Sequence, residues 1–273
     1  MNTSEEFVYK VRSDVEKLAP AILDIMDVAR SNGVDCWLNY GALLGMVREK
    51  RLLPWNNDAE LSCWYSTQIK EKFKSITDML NKKGYYAIYY SSIGSIGIKS
   101  KGVVVNINIY WHEDSFAVRP HELPSTGGPP LSRIFYWLSI FIGSYPKGLF
   151  YTKTMPLSFR QLIKIFIIFI FRNFSLNIRK KLIFDFISIS KHFGGVYQKT
   201  AIPSKYFKEF EMLKFYGSKV RVPANAHKLM EFIYGKYWNI PLDNWSFYND
   251  ENKSKTRINF IDKMWNYNKM DIV

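Results

Sequence analysis

The chain has 273 residues, enough for one large domain or for one domain with a sizeable insertion. Its aromatic content of 17% excludes a disordered chain, and its two cysteines exclude both a disulfide framework and a four-cysteine zinc site. The formal charge of +14 predicts a polyanionic partner, which is nucleic acid, an anionic membrane surface or a phosphorylated substrate.

The first part of the chain has the alternating patterns of a small mixed α/β unit. Apolar residues at helical spacing predict a long N-terminal helix, and Gly33 is expected to end it. A turn at Gly41 to Gly45 is expected to open a short helix through Arg48, and Ser66 is expected to cap a later helix. In chain order, the patterns predict a helix over 5–31, strands over 36–40 and 59–65, a helix over 67–83, and strands over 85–90, 96–99 and 103–111.

Composition changes twice after these elements. Residues 119–130 are rich in proline and glycine, which predicts a linker. The following segment, 131–200, carries eleven basic residues and a single acidic residue, Asp185. The sequence therefore predicts three parts: 1–130, 131–200 and 201–273.

The segment 131–200 also contains two apolar runs, at 134–142 and 165–171. Each run is shorter than the roughly 20 residues that a helix needs to span a bilayer. Apolar, aromatic and basic residues together are typical of a helix that lies in the headgroup region of an anionic membrane. A buried helical insertion with a solvated basic face and a protein interface are the alternatives.

One stretch has the residue types of a phosphate and metal site. Asp58 and Glu60 are two residues apart at the start of a predicted strand, so both carboxylates lie on one face. Two carboxylates on a rigid strand can share Mg²⁺, whose other ligands are water and phosphate oxygens. The glycine-containing turn upstream opens a helix, and the free amides of a helix N-terminus bind phosphate. Arg48 and Lys50 add positive charge.

This stretch resembles the signature of the LicD family, which includes bacterial phosphocholine transferases and the fukutin-related ribitol-phosphate transferases. The resemblance is carried by Gly41-x-Leu-Leu-Gly45, by Arg48 and by Pro54-Trp55-x-x-Asp58-x-Glu60. A second block within 202–241 resembles the C-terminal half of the family in the same order. The resemblance implies an α/β fold with a nucleotidyltransferase-like mixed sheet and helices, to which 131–200 adds a helical membrane-facing insertion. It also implies that 1–130 is the catalytic core and that 201–273 is an accessory part of the same domain.

The resemblance further implies transfer of a phosphorylated alcohol (choline, ribitol, glycerol or sugar phosphate) from a CDP-activated donor to a surface or lipid-linked glycan. Asp58 and Glu60 would hold Mg²⁺ or Mn²⁺. Arg48 would contact a donor phosphate or support the metal loop. Gly41 and Gly45 would allow close backbone approach. Trp55 is expected either to line the donor site or to have a structural role.

The chain departs from the family pattern at several acidic positions. Asn56 stands where the family has its first acid, and Glu60 stands where it has aspartate. Asn108 occupies the expected place of a third carboxylate on a later strand, with Asn106 as the other register. An amide oxygen can ligate Mg²⁺, but it brings no charge and cannot act as a general base. The alternatives are a site with fewer charges, substitution by Glu113 or Asp114, and a protein that has lost activity.

Two further expectations concern the base and the cellular location. His112 follows the strand of Asn108 and is a candidate base, since imidazole titrates near neutral pH. The N-terminus lacks the pattern of a secretory signal. We therefore expect a peripheral protein at the cytoplasmic face of a membrane. A membrane scaffold without catalysis and a nucleic-acid-binding module are the rival functions, although the long aliphatic runs suit lipid better than bases.

Overall fold

The structure is a computed structural model that describes residues 15–56, 58–90, 93–100, 103–124, 129–145, 163, 166–167, 169–171, 173–194, 197–241 and 257–259. Within these residues the chain forms a mixed α/β fold around one large sheet. The helices are α1 (Leu18–Ser31), α2 (Tyr40–Glu49), α3 (Ile69–Lys82), α4 (Pro130–Ile142), α5 (Leu176–His192) and α6 (Ala226–Tyr234). The strands are β1 (Trp37–Asn39), β2 (Ala59–Trp64), β3 (Tyr86–Tyr90), β4 (Ser95–Ser100), β5 (Val103–Glu113), β6 (Phe116–Pro124), β7 (Ser144–Tyr145), β8 (Tyr197–Pro203), β9 (Phe210–Phe215), β10 (Ser218–Pro223) and β11 (Arg257–Asn259).

The long strand β5 organises the sheet. It pairs in parallel with β2, and antiparallel with β4 and β6. The described strands of the main sheet follow the order β11-β8-β6-β5-β4-β3-β7, and β2 connects β1 to β5. Strands β9 and β10 form a separate hairpin whose Val220 and Val222 belong to the main core. The acidic strand β2 is thus an interior strand of the sheet, held on both sides.

Alternation along β5 gives the sheet a hydrophobic face and a polar face. Val105, Ile107 and Ile109 are fully buried in the main core. Helices α1 and α3, whose apolar residues recur at helical spacing, pack against β5 and β3. Asn106 and Asn108 fall on the other side of β5, because successive strand residues point to opposite faces. Glu60, the register partner of Asn106 on β2, lies on the same polar face.

Two helix starts differ from the sequence prediction. Helix α2 begins at Tyr40, so Gly41 and Gly45 lie within the helix rather than in a turn before it. Asn39 allows this early start, because its side chain accepts a hydrogen bond from the Tyr40 amide. Helix α3 begins at Ile69 after Gln68, so the prediction of a Ser66 cap is wrong. The predicted helix over 5–31 is described from Val15 onward, and its first part lies outside the described residues.

The prediction of a linker over 119–130 is wrong for its first half. Residues up to Pro124 form β6, which pairs with both β5 and β8. Proline lacks the amide donor that a strand interior needs, and the sheet accommodates this with a register irregularity between Pro120 and Pro124. Composition alone therefore did not predict this strand, which lies beside the polar face.

Helices α4 and α5 form what we call the helical unit, together with the described residues between 163 and 171, and they build a second, smaller core. Ser132 on α4 hydrogen-bonds to Ser190 on α5, with a separation of 3.1 Å between their hydroxyl oxygens. Arg179 is buried and donates hydrogen bonds to the Ile142 carbonyl at the end of α4. Among the described residues, no helix combines the length and the hydropathy that crossing a bilayer requires.

Candidate active site

The two predicted acidic residues lie at the N-terminal end of β2. Asp58 directly precedes the strand, and Glu60 is its second residue. In the sheet register, Glu60 stands between Asn39 on β1 and Asn106 on β5. The Glu60 side chain is 25% exposed, so solvent reaches it from the polar face. The carboxylate of Glu60 is therefore held at a fixed place with a carboxamide on either side.

Asn106 and Asn108, which the sequence left as alternative registers, both occupy the polar face. Asn106 is the cross-strand neighbour of Glu60. Two residues further along both strands, Asn108 is the cross-strand neighbour of Ser62. Asn108 is 3% exposed, and its Nδ2 has no hydrogen-bond partner among the described residues. A buried amide without a partner is costly, since desolvation is not repaid by a hydrogen bond. The Asn108 carboxamide is thus available to a ligand atom.

Space beside Asn106 is kept open by a glycine. Gly97 on β4 is the cross-strand partner of Asn106. A Cβ atom at Gly97 would lie 3.8 Å from Asn106 Oδ1 and 3.1 Å from the Tyr90 ring. A side chain at Gly97 would therefore crowd Tyr90 and narrow the access to Asn106.

The N-terminus of α2 lies beside Glu60, because the residue that caps the helix, Asn39, is the strand partner of Glu60. Asn39 is fully buried and donates a 2.9 Å hydrogen bond to Ser62 Oγ, which fixes the start of the helix against β2. The first amides of a helix lack intrahelical acceptors and favour anions. Gly41, in this first turn, lies against Asn56: a Cβ atom there would be 3.4 Å from Asn56 Oδ1. The segment before Asp58 thus folds back over the helix start.

The environment of Asp58 changes its acidity. Solvent reaches this side chain, yet the surrounding protein removes part of its hydration, and this desolvation raises the pKa of Asp58. A hydrogen bond to its own backbone opposes that effect without cancelling it. Asp58 consequently gains more from a nearby cation than a fully hydrated aspartate would.

Arg119 is a site residue that sequence reasoning missed. It lies on β6, in the stretch that its prolines had marked as linker, and it is 9% exposed. Arg119 Nη2 is 3.6 Å from Glu60 Oε1. Its guanidinium carbon is 5.4 Å from the centre of the Tyr40 ring and 6.0 Å from that of Tyr110. The only signal in the sequence was a basic residue inside a proline-rich segment, which does not reveal a strand.

Three of the predicted donor-site residues lie away from the helix start. Gly45 faces the returning chain, where a Cβ atom would be 2.6 Å from the Arg51 carbonyl oxygen, so close packing already requires this glycine. Arg48 is in the last turn of α2, about 10 Å along the helix from Gly41. Arg48 forms an ion pair with Glu49 at 2.8 Å, and its guanidinium carbon is 5.9 Å from the centre of the Trp55 ring. The roles of Gly45, Arg48 and Trp55 in donor binding stay predictions.

The candidate base and the candidate substitute ligands lie at the far end of β5. His112 is six residues beyond Asn106, which corresponds to about 20 Å along the strand. It is exposed and stacks on Trp64 with 4.1 Å between ring centroids. Glu113 ends β5, and Asp114 follows in the turn to β6 with a φ of 53°. The structure does not bring these three residues to Asp58 and Glu60.

The donor atoms of the site suit a hard divalent cation that is shared with a ligand. Asp58 and Glu60 supply carboxylate oxygens, and the Asn108 Nδ2, which lacks a partner among the described residues, can donate a hydrogen bond to an oxygen of the ligand. Mg²⁺ is commonly held by one or two carboxylates together with substrate phosphates. The described residues contain no cluster of three or more His, Cys, Asp or Glu side chains that could hold a metal alone. The residues present therefore fit a cation that binds together with a phosphorylated ligand.

Comparison with known proteins gives a family match and several distant structural likenesses. Two structures of ANT(2'')-Ia are 11% identical to this chain: a crystal structure in complex with adenylyl-2''-tobramycin and a solution structure. The first covers 63% of this chain and 98% of its own, with a TM-score of 0.28. The second covers 65% and 93%, with a TM-score of 0.31. Likeness at these TM-scores carries no conclusion about the site. A comparison with curated proteins gives no match.

The family match covers the elements that build the site. Residues 33–118 match the LicD/FKTN/FKRP nucleotidyltransferase domain. This range runs from β1 into β6 and includes Asp58, Glu60, Asn106 and Asn108. The second block of resemblance, within 202–241, lies outside the match and stays a prediction. The match supports the assignment of residues 33–118 to the LicD family and a transferase-like function for the protein.

Proposed function

We propose that the protein is a metal-dependent phosphotransferase that moves a phosphorylated alcohol from a CDP-activated donor to a hydroxyl of a surface or lipid-linked glycan. The observation that supports this most is the position of Asp58 and Glu60, at the start of β2 beside the capped N-terminus of α2 and within a LicD-family domain. Choline, ribitol, glycerol and sugar phosphates all remain candidates for the transferred group.

Each element of the site has a task in this proposal. The first-turn amides of α2 after Tyr40 bind a donor phosphate, because they lack intrahelical acceptors at the positive end of the helix. Asp58 and Glu60 hold Mg²⁺ or Mn²⁺, and Asn106 and Asn108 orient the same ligand by hydrogen bonds. The cation, when bound, offsets the negative charge that develops on the leaving phosphate.

Membrane association is a second part of the proposal. The helical unit exposes large apolar side chains, among them Ile134, Trp137 and Phe184, which are 53%, 45% and 42% exposed. Exposed basic residues, Arg133 and Lys181, lie on the same helices. Apolar and basic side chains together suit the headgroup layer of an anionic membrane. We therefore propose a peripheral protein at the cytoplasmic face, with a lipid-linked or growing glycan as acceptor.

The first test is donor binding measured by thermal shift. We expect one of CDP-choline, CDP-ribitol or CDP-glycerol to raise the Tm together with Mg²⁺ or Mn²⁺, because a ligand that binds only the folded state stabilises it. A hundredfold excess over the dissociation constant corresponds to about 2.7 kcal/mol. Glu60→Gln should abolish the metal-dependent part of the shift. Glu71→Gln on α3, which removes an exposed carboxylate elsewhere, is the matched control.

A scaffold without catalysis is the second candidate function. It is favoured by one observation, the carboxamides of Asn106 and Asn108 in place of a third carboxylate. If no CDP donor and no divalent cation changes the Tm, the scaffold is preferred and the phosphotransferase proposal is wrong.

A further inference from the structure

Arg119 places a positive charge where the proposed function requires a cation site. Arg119 is nearly buried, at 9% exposure, and its Nη2 lies 3.6 Å from Glu60, one of the two carboxylates that would hold the cation. The residue falls just beyond the matched family range of 33–118. Neither the family match nor the sequence patterns give it a role.

The distance in the Arg119–Glu60 ion pair leaves room for a small displacement of the guanidinium. A distance of 3.6 Å is an ion pair but is too long for a hydrogen bond. Tyr40 and Tyr110 present ring faces at 5.4 Å and 6.0 Å, and their hydroxyl oxygens are 3.2 Å from each other. Aromatic faces attract a guanidinium wherever it moves over them, so this support tolerates a small displacement.

The charge of the site makes a displacement favourable when a ligand arrives. Asp58 and Glu60 bring two negative charges, and Arg119 neutralises one of them. A divalent cation alone must compete with the guanidinium for Glu60. A diphosphate brings new negative charge, and planar guanidinium binds phosphate oxygens in a bidentate manner.

We propose that Arg119 is an internal counter-cation: its guanidinium pairs with Glu60 while the site is empty, weakens binding of a divalent cation alone, and turns to a donor phosphate when cation and donor bind together. This inference rests on the proposed function. It predicts that cation and donor bind cooperatively, because the donor removes the competitor for Glu60.

The test is Mn²⁺ binding without donor, measured by electron paramagnetic resonance and calorimetry on the full chain. Arg119→Gln should bind Mn²⁺ about tenfold more tightly than the parent, since it frees Glu60 from a competing cation. Adding Glu60→Gln to that variant should remove the gain. Arg119→Lys keeps the charge, so its Mn²⁺ affinity should stay near that of the parent. Circular dichroism and the Tm report whether each variant folds.

The second measurement is donor binding, for which Arg119→Gln should lower the affinity rather than raise it. With saturating Mn²⁺, Arg119→Gln should bind CDP about tenfold more weakly, and Arg119→Lys should also lose affinity because an ammonium lacks the bidentate geometry. The matched control is Arg221→Gln, since Arg221 likewise combines an ion pair with an aromatic contact, with Asp35 at 3.4 Å and Phe210 at 4.1 Å. It should change neither affinity.

The outcomes separate this inference from the proposed function. Unchanged, weaker or undetectable Mn²⁺ binding in Arg119→Gln overturns the counter-cation role, as does unchanged CDP affinity. The phosphotransferase proposal depends instead on the parent protein and on Glu60→Gln. A parent that binds donor and metal together, with Arg119 variants that behave like it, refutes only the inference.

Discussion

At the scale of single residues, the polar face of the sheet shows which features a sequence can reveal. The Asp58-x-Glu60 spacing placed two acidic residues at the start of a strand, as observed, because strand periodicity is a local property. Arg119 approaches Glu60 from a strand 59 positions later in the chain, and no local pattern encodes that contact. The raised pKa of Asp58 could not be predicted from the sequence either, because it arises from neighbours that the fold brings around this residue.

The raised pKa of Asp58 gives a stability prediction with a defined sign. A carboxyl group whose pKa is higher in the folded state favours folding while it is protonated, and this contribution is lost as the pH rises through the folded pKa. Asp58→Asn, which is neutral at every pH, should therefore have a slightly higher Tm than the parent at pH 7. The gain should shrink toward zero below about pH 4, where aspartate is protonated in both states.

Thermal melts of both proteins across this pH range provide the measurement. The same variant should lose the Tm shift caused by donor and Mn²⁺, so stability and ligand binding move in opposite directions. A parent that is more stable than Asp58→Asn at pH 7 would contradict the effect attributed to desolvation.

At the scale of elements, the short helix α2 packs against two different parts of the protein. Its N-terminus is capped by Asn39 beside the acidic strand, and its Gly45 packs against the chain that returns toward Pro54. The sequence predicted both glycines as parts of a turn, because glycine is usual in turns and rare inside helices. The tight approach at Gly45, with 2.6 Å from a Cβ position to the Arg51 carbonyl, depends on a tertiary contact and is invisible in the sequence.

The two glycines of α2 are a matched pair for mutagenesis. Gly45→Ala should lower the free energy of unfolding by about 1–3 kcal/mol, since an added Cβ atom must displace backbone at Arg51 and Leu53. Gly41→Ala meets only the Asn56 side chain at 3.4 Å and has the helix propensity of alanine, so its stability should change by less than about 1 kcal/mol. Urea titrations with equal slopes would give both values. Equal losses in the two variants would mean that the close approach at Gly45 is unimportant.

At the scale of the whole molecule, the fold joins a polar sheet face to a helical unit with its own core. The composition of 131–200 predicted helices with a basic and apolar surface, and α4 and α5 have exposed side chains of both kinds. Composition did not reveal that a buried arginine, Arg179, ties the two helices together through the Ile142 carbonyl. Burial lowers the pKa of Arg179, and its hydrogen bonds to a helix C-terminus offset the loss of hydration.

The membrane proposal predicts a selective loss of vesicle binding. The double variant Trp137→Ser with Phe184→Ser removes two exposed side chains of the helical unit and should bind anionic vesicles at least about tenfold more weakly, because each ring would bury apolar area in the lipid. The control is Phe116→Ser with Met212→Ser, which removes exposed apolar residues elsewhere. Sedimentation with vesicles of defined anionic content measures both. Equal binding by the two double variants would contradict a membrane role for the helical unit.

The pairing of β6 with β8 has a consequence for engineering the chain. Pro124 and Tyr197 are partners in adjacent strands, so the 72 positions between them leave and re-enter the sheet at one place. A short reverse turn joining these strands would preserve their register and keep the residues of the candidate site. Such a shortened fragment would lose β7, however. The backbone hydrogen-bonding groups of Tyr89 and Tyr90 would then make β3 an exposed edge strand, to which another chain could pair. A charged residue or a proline on β3 would have to accompany the excision to keep the fragment monomeric.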